Sequence, residues 1–546
     1  MLQRVWSWIQ NPVGKAGVRP GLVLLYVLAA GWIVAKISDY HVPHFGYTYL
    51  IGVGEEPPQG IDWASDRDVV VYRHFRSPGY DAQYYAQIAI DPGLQDPVLA
   101  KSIDNLPYRA RRILLPWTAY LFGVGQPNWV LNVFALQNLV CWFLLGWLLL
   151  RWFPPTDLDR AMRWLGIMLS IGVLFSVFAA LVDAPSLLLL ALGLKWIETG
   201  HPWRATAVLA MGGLAKETNL LGAAGLAPAN WKSARGWGMA ILQGILVALP
   251  FVVWFAILRW RFGDTGGSLA GVRNFSLPFV AFAERWAELA SAVVEGNVAW
   301  KYLGGGLATH ISVTVQAAFL LCWWRWSSAA WRLTVPFAVL ALVLGTAVWE
   351  GHPGASSRVL LPLLLGFNLL LPKGRRWWAL LLLGNLTMFF GPVSLEPRTR
   401  EIHTVLITNR AEVAEAALPQ GELRVDFPRP WHRAESDGDR QWRWSEGDAA
   451  IEVFNPYDRP VEVEIRGQWS VHTDRLGQLK QGDTVLWQEH LTRAPTDWRV
   501  SGVVLPPGRS ELWVTSDQAP AQSNPADPRK LSVRLLKFAV KGRVLD

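Results

Sequence analysis

The sequence predicts a polytopic α-helical membrane protein of about eleven transmembrane helices, followed by an all-β sandwich tail. Three observations carry this expectation. Apolar residues make up 51% of the 546 residues and charged residues only 17%, where soluble chains carry roughly a quarter. The apolar residues gather in long blocks separated by short basic loops, which is the pattern of repeated spans. After residue 395 the blocks give way to polar, alternating sequence. This composition excludes a disordered chain, a coiled coil and an ordinary cytosolic enzyme. A net charge of +8 would suggest nucleic acid in a soluble chain. Here much of the basic excess lies between spans, where it sets orientation, and no nucleic-acid partner is expected.

The elements follow in order. Residues 1–19 carry Arg4, Lys15 and Arg19 and no acid, so they are expected in the cytoplasm. The run 21–37 reads as an uncleaved anchor. Residues 38–127 form a first external loop too charged to span, with Asp62, Asp66, Asp68, Asp81, Asp91, Asp96 and Asp104. Inside it, 113–124 is apolar but short, and it reads as an interfacial helix. Ten further apolar runs lie near 128–150, 163–181, 186–198, 203–215, 219–229, 238–258, 308–324, 333–349, 358–371 and 377–393. Alternation from a cytoplasmic start leaves fifteen basic residues and three acids on the inner side. That bias supports the count and puts the tail outside. A span at 113–124 would invert every later loop.

The two cysteines, Cys141 and Cys322, lie in apolar runs and read as small buried hydrophobes without disulfide or zinc roles. The 32 Trp residues fit membrane interfaces first and sugar stacking second. Residues 396–546 alternate as in Ala450-Ile451-Glu452-Val453-Phe454 and Val461-Glu462-Val463-Glu464-Ile465. Turn signals at Asn455-Pro456, Asp458-Arg459-Pro460 and Pro506-Pro507-Gly508 separate the runs. Period-two alternation with regular turns predicts an extracytoplasmic β-sandwich. Its Trp431, Trp442, Trp444, Trp469, Trp487, Trp498 and Trp513 are either a glycan platform or core.

The ionisable residues at membrane depth fall on the expected outer side. They are Tyr80-Asp81-Ala82-Gln83-Tyr84-Tyr85, Asp91-Pro92, Arg109, Arg111, Arg112, Asp183, Lys216-Glu217-Thr218, Glu350, His352 and Arg358. Such groups are costly in a bilayer and usually face a cavity. Carboxylates and cations on one face suggest an acid/base centre beside an anion site. Plainer readings stand beside this. Asp183 can cap a helix, Lys216 and Glu217 can pair at a turn, and Arg358 can contact a headgroup. The strings Arg112-Ile113-Leu114-Leu115-Pro116 and Arg358-Val359-Leu360-Leu361-Pro362 can coincide by chance in a Leu-rich chain. Asp66-Arg67-Asp68 has a metal-like spacing shared by many solvated loops. Asp157-Leu158-Asp159 lies on the opposite side and reads as a solvated face.

The motif Tyr80-Asp81-Ala82-Gln83-Tyr84-Tyr85 with Asp91-Pro92 resembles the first external loop of integral-membrane C-type (GT-C) glycosyltransferases. In their bacterial members this loop reads like Tyr-Asp-Gly-Gln-Tyr/Phe-Tyr followed by Asp-Pro. Ala82 departs from the usual Gly. Asp183-Ala184-Pro185, Lys216-Glu217-Thr218 and the Arg358 string resemble later landmarks of that family, so the likeness covers about residues 20–393. Trp442-Arg443-Trp444 and Phe454-Asn455-Pro456 look like the β-sandwich some members carry.

The resemblance implies a fold, residues 20–395, and a chemistry. The donor is a polyprenyl-phosphate sugar and the acceptor a glycan, lipid or protein outside the cytoplasm. Asp81 is the general base, and Asp91 is a second catalytic carboxylate that supports it or directs a metal. Lys216 and Arg358 stabilise the phosphate leaving group, with Arg111 or Arg112 helping. Glu217 positions Lys216, and Asp183, His352 and Tyr84 complete the substrate site. Attack opposite the phosphate inverts the anomeric centre. A monophosphate leaving group beside cations need not require a metal, and the first-loop carboxylates leave room for Mg²⁺ or Mn²⁺. The location implied is a bacterial inner membrane. The alternatives are a lipid-linked sugar flippase and a non-catalytic glycan-assembly protein.

Overall fold

The computed structural model describes residues 17–41, 45–54, 69, 71–74, 77–263, 274–296, 298–351, 354–395, 405–407, 423–428, 430–432, 435–436, 441–455, 459–524 and 527–544. The chain divides into two compact units, Met1–Pro397 and Arg398–Asp546.

The main helices of the first unit are α1 (Pro20–Ser38), α2 (Ala82–Ile90), α3 (Leu114–Phe122), α4 (Pro127–Leu149), α5 (Leu158–Met168), α6 (Ile171–Phe178) and α7 (Asp183–Glu198). They continue with α8 (Pro202–Ala215), α9 (Ala234–Phe262), α10 (Val280–Glu295), α11 (Trp300–Cys322), α12 (Ala329–Val343) and α13 (Leu361–Leu370). Among the described residues the expected eleven spans are not there. Among the described residues, four helices are long and apolar enough to cross a membrane: α1, α4, α9 and Tyr302–Cys322 of α11. A fifth exists if α5 and α6, bent by 42° at their junction, are one span. These helices support a membrane location.

The other apolar runs fail for a geometric reason. At 1.5 Å per residue, the 16 residues of α7 reach about 24 Å and the 14 of α8 about 21 Å, short of the roughly 30 Å hydrocarbon core. The run at 219–229 is a 3₁₀ helix, Glu217–Leu226, and the run at 377–393 breaks into pieces beginning with Trp378–Leu383. Apolar composition survives in these segments, but a continuous helix long enough to span does not.

The short elements pack on one another. Leu190 and Leu194 of α7, Leu209 of α8, Leu333 and Phe337 of α12 and Phe367 of α13 share one apolar core. Close approach there requires a bare backbone: a Cβ on Gly222 would stand 2.5 Å from Leu190 Cδ2. A second cluster joins Tyr84, Ile88, Leu99, Ile103, Leu106 and Ile113 to Leu258 of α9. The Trp254 indole of α9 also donates to the Ala110 carbonyl at 2.8 Å. The first loop is thereby docked on a long helix. α3 covers most of the 113–124 run; it buries Leu115, Pro116 and Ala119 and exposes Trp117, Leu121 and Phe122. Cys322, expected buried, is exposed at the end of α11, and Cys141 is half-buried; both are free thiols.

The second unit is β throughout its described residues. One sheet orders five strands: Thr484–Leu491, Arg475–Gln481, Gly508–Ser516, Ala449–Asn455 and Arg424–Asp426. A second places Thr496–Leu505, Val461–Val471, Val533–Val544, Gln441–Trp444 and Glu435–Ser436 side by side, with Val405–Ile407 also on Val533–Val544, and Ala521–Asn524 pairs with Asp527–Leu531 in a two-stranded sheet of its own. The alternation is real. Along Val461–Val471, Val461, Val463, Ile465 and Trp469 are buried while Glu462, Glu464 and Arg466 are not. The expected β-sandwich is corrected to open sheets. Among the described residues each ends on edge strands with no further neighbour, and the shortest strands, such as Glu435–Ser436, pair over two residues only. The Trp residues act mainly as core. Trp431, Trp444, Trp469 and Trp498 are buried, and only Trp513 among the seven is exposed.

Candidate active site

A helix break creates the centre of the site. α8 ends at Ala215, the next residue is extended (φ −159°, ψ 126°), and the 3₁₀ helix starts at Glu217. Successive side chains on extended backbone point in opposite directions. Lys216 and Glu217 therefore diverge. Glu217 takes two hydrogen bonds from Arg112, Nη2 to Oε1 at 2.7 Å and Nε to Oε2 at 3.0 Å. The third side of that guanidinium donates to the Tyr85 hydroxyl at 2.7 Å. Burial alone would raise the Glu217 carboxyl, but Arg112 outweighs it and holds the group at about 2. Glu217 thus belongs to Arg112 and does not form the expected direct pair with Lys216.

Lys216 instead donates to Asp183 Oδ1 at 2.6 Å. The second oxygen of Asp183 faces Arg358 Nη1 at 3.4 Å. The side chains of Asp183 and Lys216 are 5% and 6% exposed, and that of Arg358 is 11% exposed. Asp183 does not cap α7; the Ser176 hydroxyl accepts from the Ala184 amide at 2.9 Å. Burial pushes the Asp183 carboxyl up, and Lys216 and Arg358 together pull it down to about 2. Burial lowers the Lys216 ammonium below the ordinary lysine value, with Asp183 opposing. Two buried cations therefore share one carboxylate. Arg358 also stacks near Tyr80 and Phe175 and donates to the Tyr80 hydroxyl at 3.1 Å.

Asp81 stands at the start of α2. Gly79, at φ 84°, turns the chain into it, and the Gln83 side-chain Nε2 donates to the Pro78 carbonyl at 2.9 Å. Ala82, where the family pattern has Gly, is fully buried. Asp81 makes no capping hydrogen bond to α2. Its Oδ1 lies 3.0 Å from Arg109 Nη1, and the side chain stays 39% exposed. Among the described residues its Oδ2 has no hydrogen-bond partner. Arg358, Tyr80, Tyr84 and Tyr85 are all close enough to feel its charge. Asp81 and the Asp183 cluster thus belong to one charged centre.

The remaining expected residues divide. Tyr84 is buried with the Arg109 guanidinium 4.7 Å above its ring. Arg111 lies over Phe255 of α9 at 4.9 Å, and its Nε is buried without a hydrogen-bond partner among the described residues. Asp91 serves its own turn, where its Oδ2 accepts from the Gln95 and Asp96 amides at 2.6 and 2.7 Å. His352, Asp62, Asp66 and Asp68 lie outside the described residues. Asp157 caps α5 through the Arg160 amide, and Asp159 pairs with Arg163 at 2.6 Å. Among the described residues no group of three or more His, Cys, Asp or Glu is arranged to hold a metal ion. Tyr80, Tyr85 and Arg109, which the sequence places among the outer-side residues without a role, join the site. Their adjacency to Asp81 and Arg112 in sequence was the available signal.

No protein-family model and no curated protein sequence matches the chain. Among solved structures it is similar to the single-particle cryo-EM structure of arabinosyltransferase EmbB from Mycobacterium smegmatis. The identity is 11% and the TM-score 0.29, over 100% of this chain and 67% of that one. At that score the likeness carries no argument about fold or activity.

Proposed function

We propose that this chain is a membrane glycosyltransferase of the GT-C type. It moves a sugar from a polyprenyl-phosphate donor to a glycan, lipid or protein acceptor on the extracytoplasmic face. The observation that carries the reading is the sharing of Asp183 by Lys216 and Arg358, beside an open carboxylate at Asp81. Buried positive charge in excess of its partners favours an anionic ligand. A phosphate whose charge grows as it leaves gains most from such preorganised donors.

The chemistry then follows. Asp81 Oδ2 takes the proton of the acceptor hydroxyl. The hydroxyl oxygen bonds to the anomeric carbon as the bond from that carbon to the phosphate oxygen breaks. The electron pair leaves with the polyprenyl phosphate, where Lys216 and Arg358 hold it. Attack opposite the phosphate inverts the anomeric centre. Arg112, neutralised by Glu217, orients the Tyr85 side of the site. The exposed apolar face of α3 lies at the interface and admits the lipid chain.

The test uses the full chain in lipid nanodiscs. A panel of polyprenyl-phosphate sugars is supplied with a crude glycan acceptor, and polyprenyl phosphate release is followed for wild type and Asp81→Asn. Release by wild type alone is expected, with donor binding kept in the variant. Equal release by both removes Asp81 as the base. Asp183 cannot replace it, because both its oxygens are tied to cations. Tight donor binding without release from any donor favours the flippase or glycan-assembly alternatives.

A further inference from the structure

We infer that Arg109 is a positioning residue that aims Asp81, and that Asp104 holds Arg109 in place to do so. The inference rests on the transferase reading above. Arg109 comes from the short helix Leu106–Arg109, which Asn105 caps through the Tyr108 amide at 3.0 Å. Its guanidinium is divided between two carboxylates. Nε and Nη2 donate to Asp104 Oδ1 and Oδ2 at 2.9 and 2.6 Å, a two-point grip that fixes the plane. Nη1 is left for Asp81 Oδ1 at 3.0 Å.

The side chain is 12% exposed, whereas Asp81 and Asp104 are 39% and 38% exposed. The buried partner is therefore the cation, and the more open groups are the carboxylates it organises. Tyr84 lies beneath the guanidinium at 4.7 Å and closes its other face. The ion pair on Oδ1 leaves Oδ2 without a partner among the described residues and open to an acceptor hydroxyl. Asp104 matters for a second reason. It offsets the Arg109 charge, so Asp81 is oriented without meeting a full unshared cation. The other charged or titratable groups that sense Asp81 are Arg358, Tyr80, Tyr84 and Tyr85. None of them makes a hydrogen bond to its carboxylate among the described residues.

The experiment compares wild type, Arg109→Lys, Arg109→Ala and Asp81→Asn as full chains in nanodiscs. Two readouts are taken. The first is kcat and donor KM for polyprenyl phosphate release. The second is modification of each carboxyl by dicyclohexylcarbodiimide, resolved by peptide mass spectrometry. The Arg109 guanidinium covers Asp81 Oδ1, so removing it opens the carboxyl to the reagent and raises its labelling. Asp91, tied to backbone amides, is the internal control for folding. Arg109→Ala is expected to lower kcat on the order of 10²-fold, as misaimed groups do, with donor KM unchanged. Asp81 labelling rises, Asp91 labelling does not, and Arg109→Lys recovers part of both. Full kcat in Arg109→Ala, or unchanged Asp81 labelling, overturns the assignment to Arg109. Silence of wild type toward every donor overturns the transferase reading and the catalytic meaning of this contact with it. Labelling that rises at Asp91 as well overturns a positioning role in favour of a purely structural one.

Discussion

Arg112 and Arg358 open the same kind of string, Arg-x-Leu-Leu-Pro, and each precedes a helix that carries the Pro in its first turn or just beyond. Their surroundings differ. Arg112 has a carboxylate to itself, gripped at two points, and a tyrosine hydroxyl on its remaining side. Arg358 has half of one, at 3.4 Å, with Lys216 on the other half. The Arg112 half is electrically closed and the Arg358 half keeps a surplus positive charge. A repeated sequence string thus yields one structural ion pair and one open anion site. The difference is set by residues 183, 216 and 217, which lie far from both strings.

The largest expected contrast is in stability. Asp183→Asn leaves two buried cations without a carboxylate and should cost about 3–5 kcal/mol. Glu217→Gln strands one cation that is more open to solvent and keeps its tyrosine, so the cost should be about 1–3 kcal/mol. Unfolding of both variants in detergent measures the difference. Equal losses would erase the asymmetry between the two halves.

Acid titration sharpens the same comparison. Both Asp183 and Glu217 are held at about 2, below their ordinary values of 3.8 and 4.5. A depressed carboxyl binds protons more readily in the unfolded chain, so stability rises with pH through this window. The contribution should be complete above about pH 5 and vanish as pH falls from there toward 2. Wild type should lose stability over that range, and Asp183→Asn should lose less of it. A parallel acid profile for the two would remove Asp183 as a source of that dependence.

Smaller effects test the supports. On Gly172 of α6, a Cβ would stand 2.0 Å from the Ser357 carbonyl oxygen. Gly172→Ala must displace the turn that carries Arg358, and donor affinity should fall while the Arg112 pair is untouched. Tyr85→Phe removes one hydrogen bond to Arg112 and should cost about 1 kcal/mol. A larger loss of donor affinity from Tyr85→Phe than from Gly172→Ala would reverse the assignment of the open half.

Much of this centre was legible as residue types. Asp81, Asp183, Lys216 and Arg358 were singled out as ionisable groups beside apolar runs, and the structure brings the last three into contact. Their pairing was not legible. Lys216 and Glu217 look like partners in sequence, but extended backbone between two helices sends them apart. Asp91 looked like a companion of Asp81, and its amide contacts give it to a turn.

By itself the sequence determined composition and alternation: an apolar first unit with helices able to cross a membrane, and a β tail whose odd and even residues face opposite ways. Those properties are local, since they depend on side-chain type and on the helical and strand periods. Tertiary structure decided how many apolar runs remain one continuous helix, whether the sheets close, and which carboxylate answers which cation. Helix breaks, sheet edges and buried ion pairs depend on partners distant in the chain, and no local period encodes them.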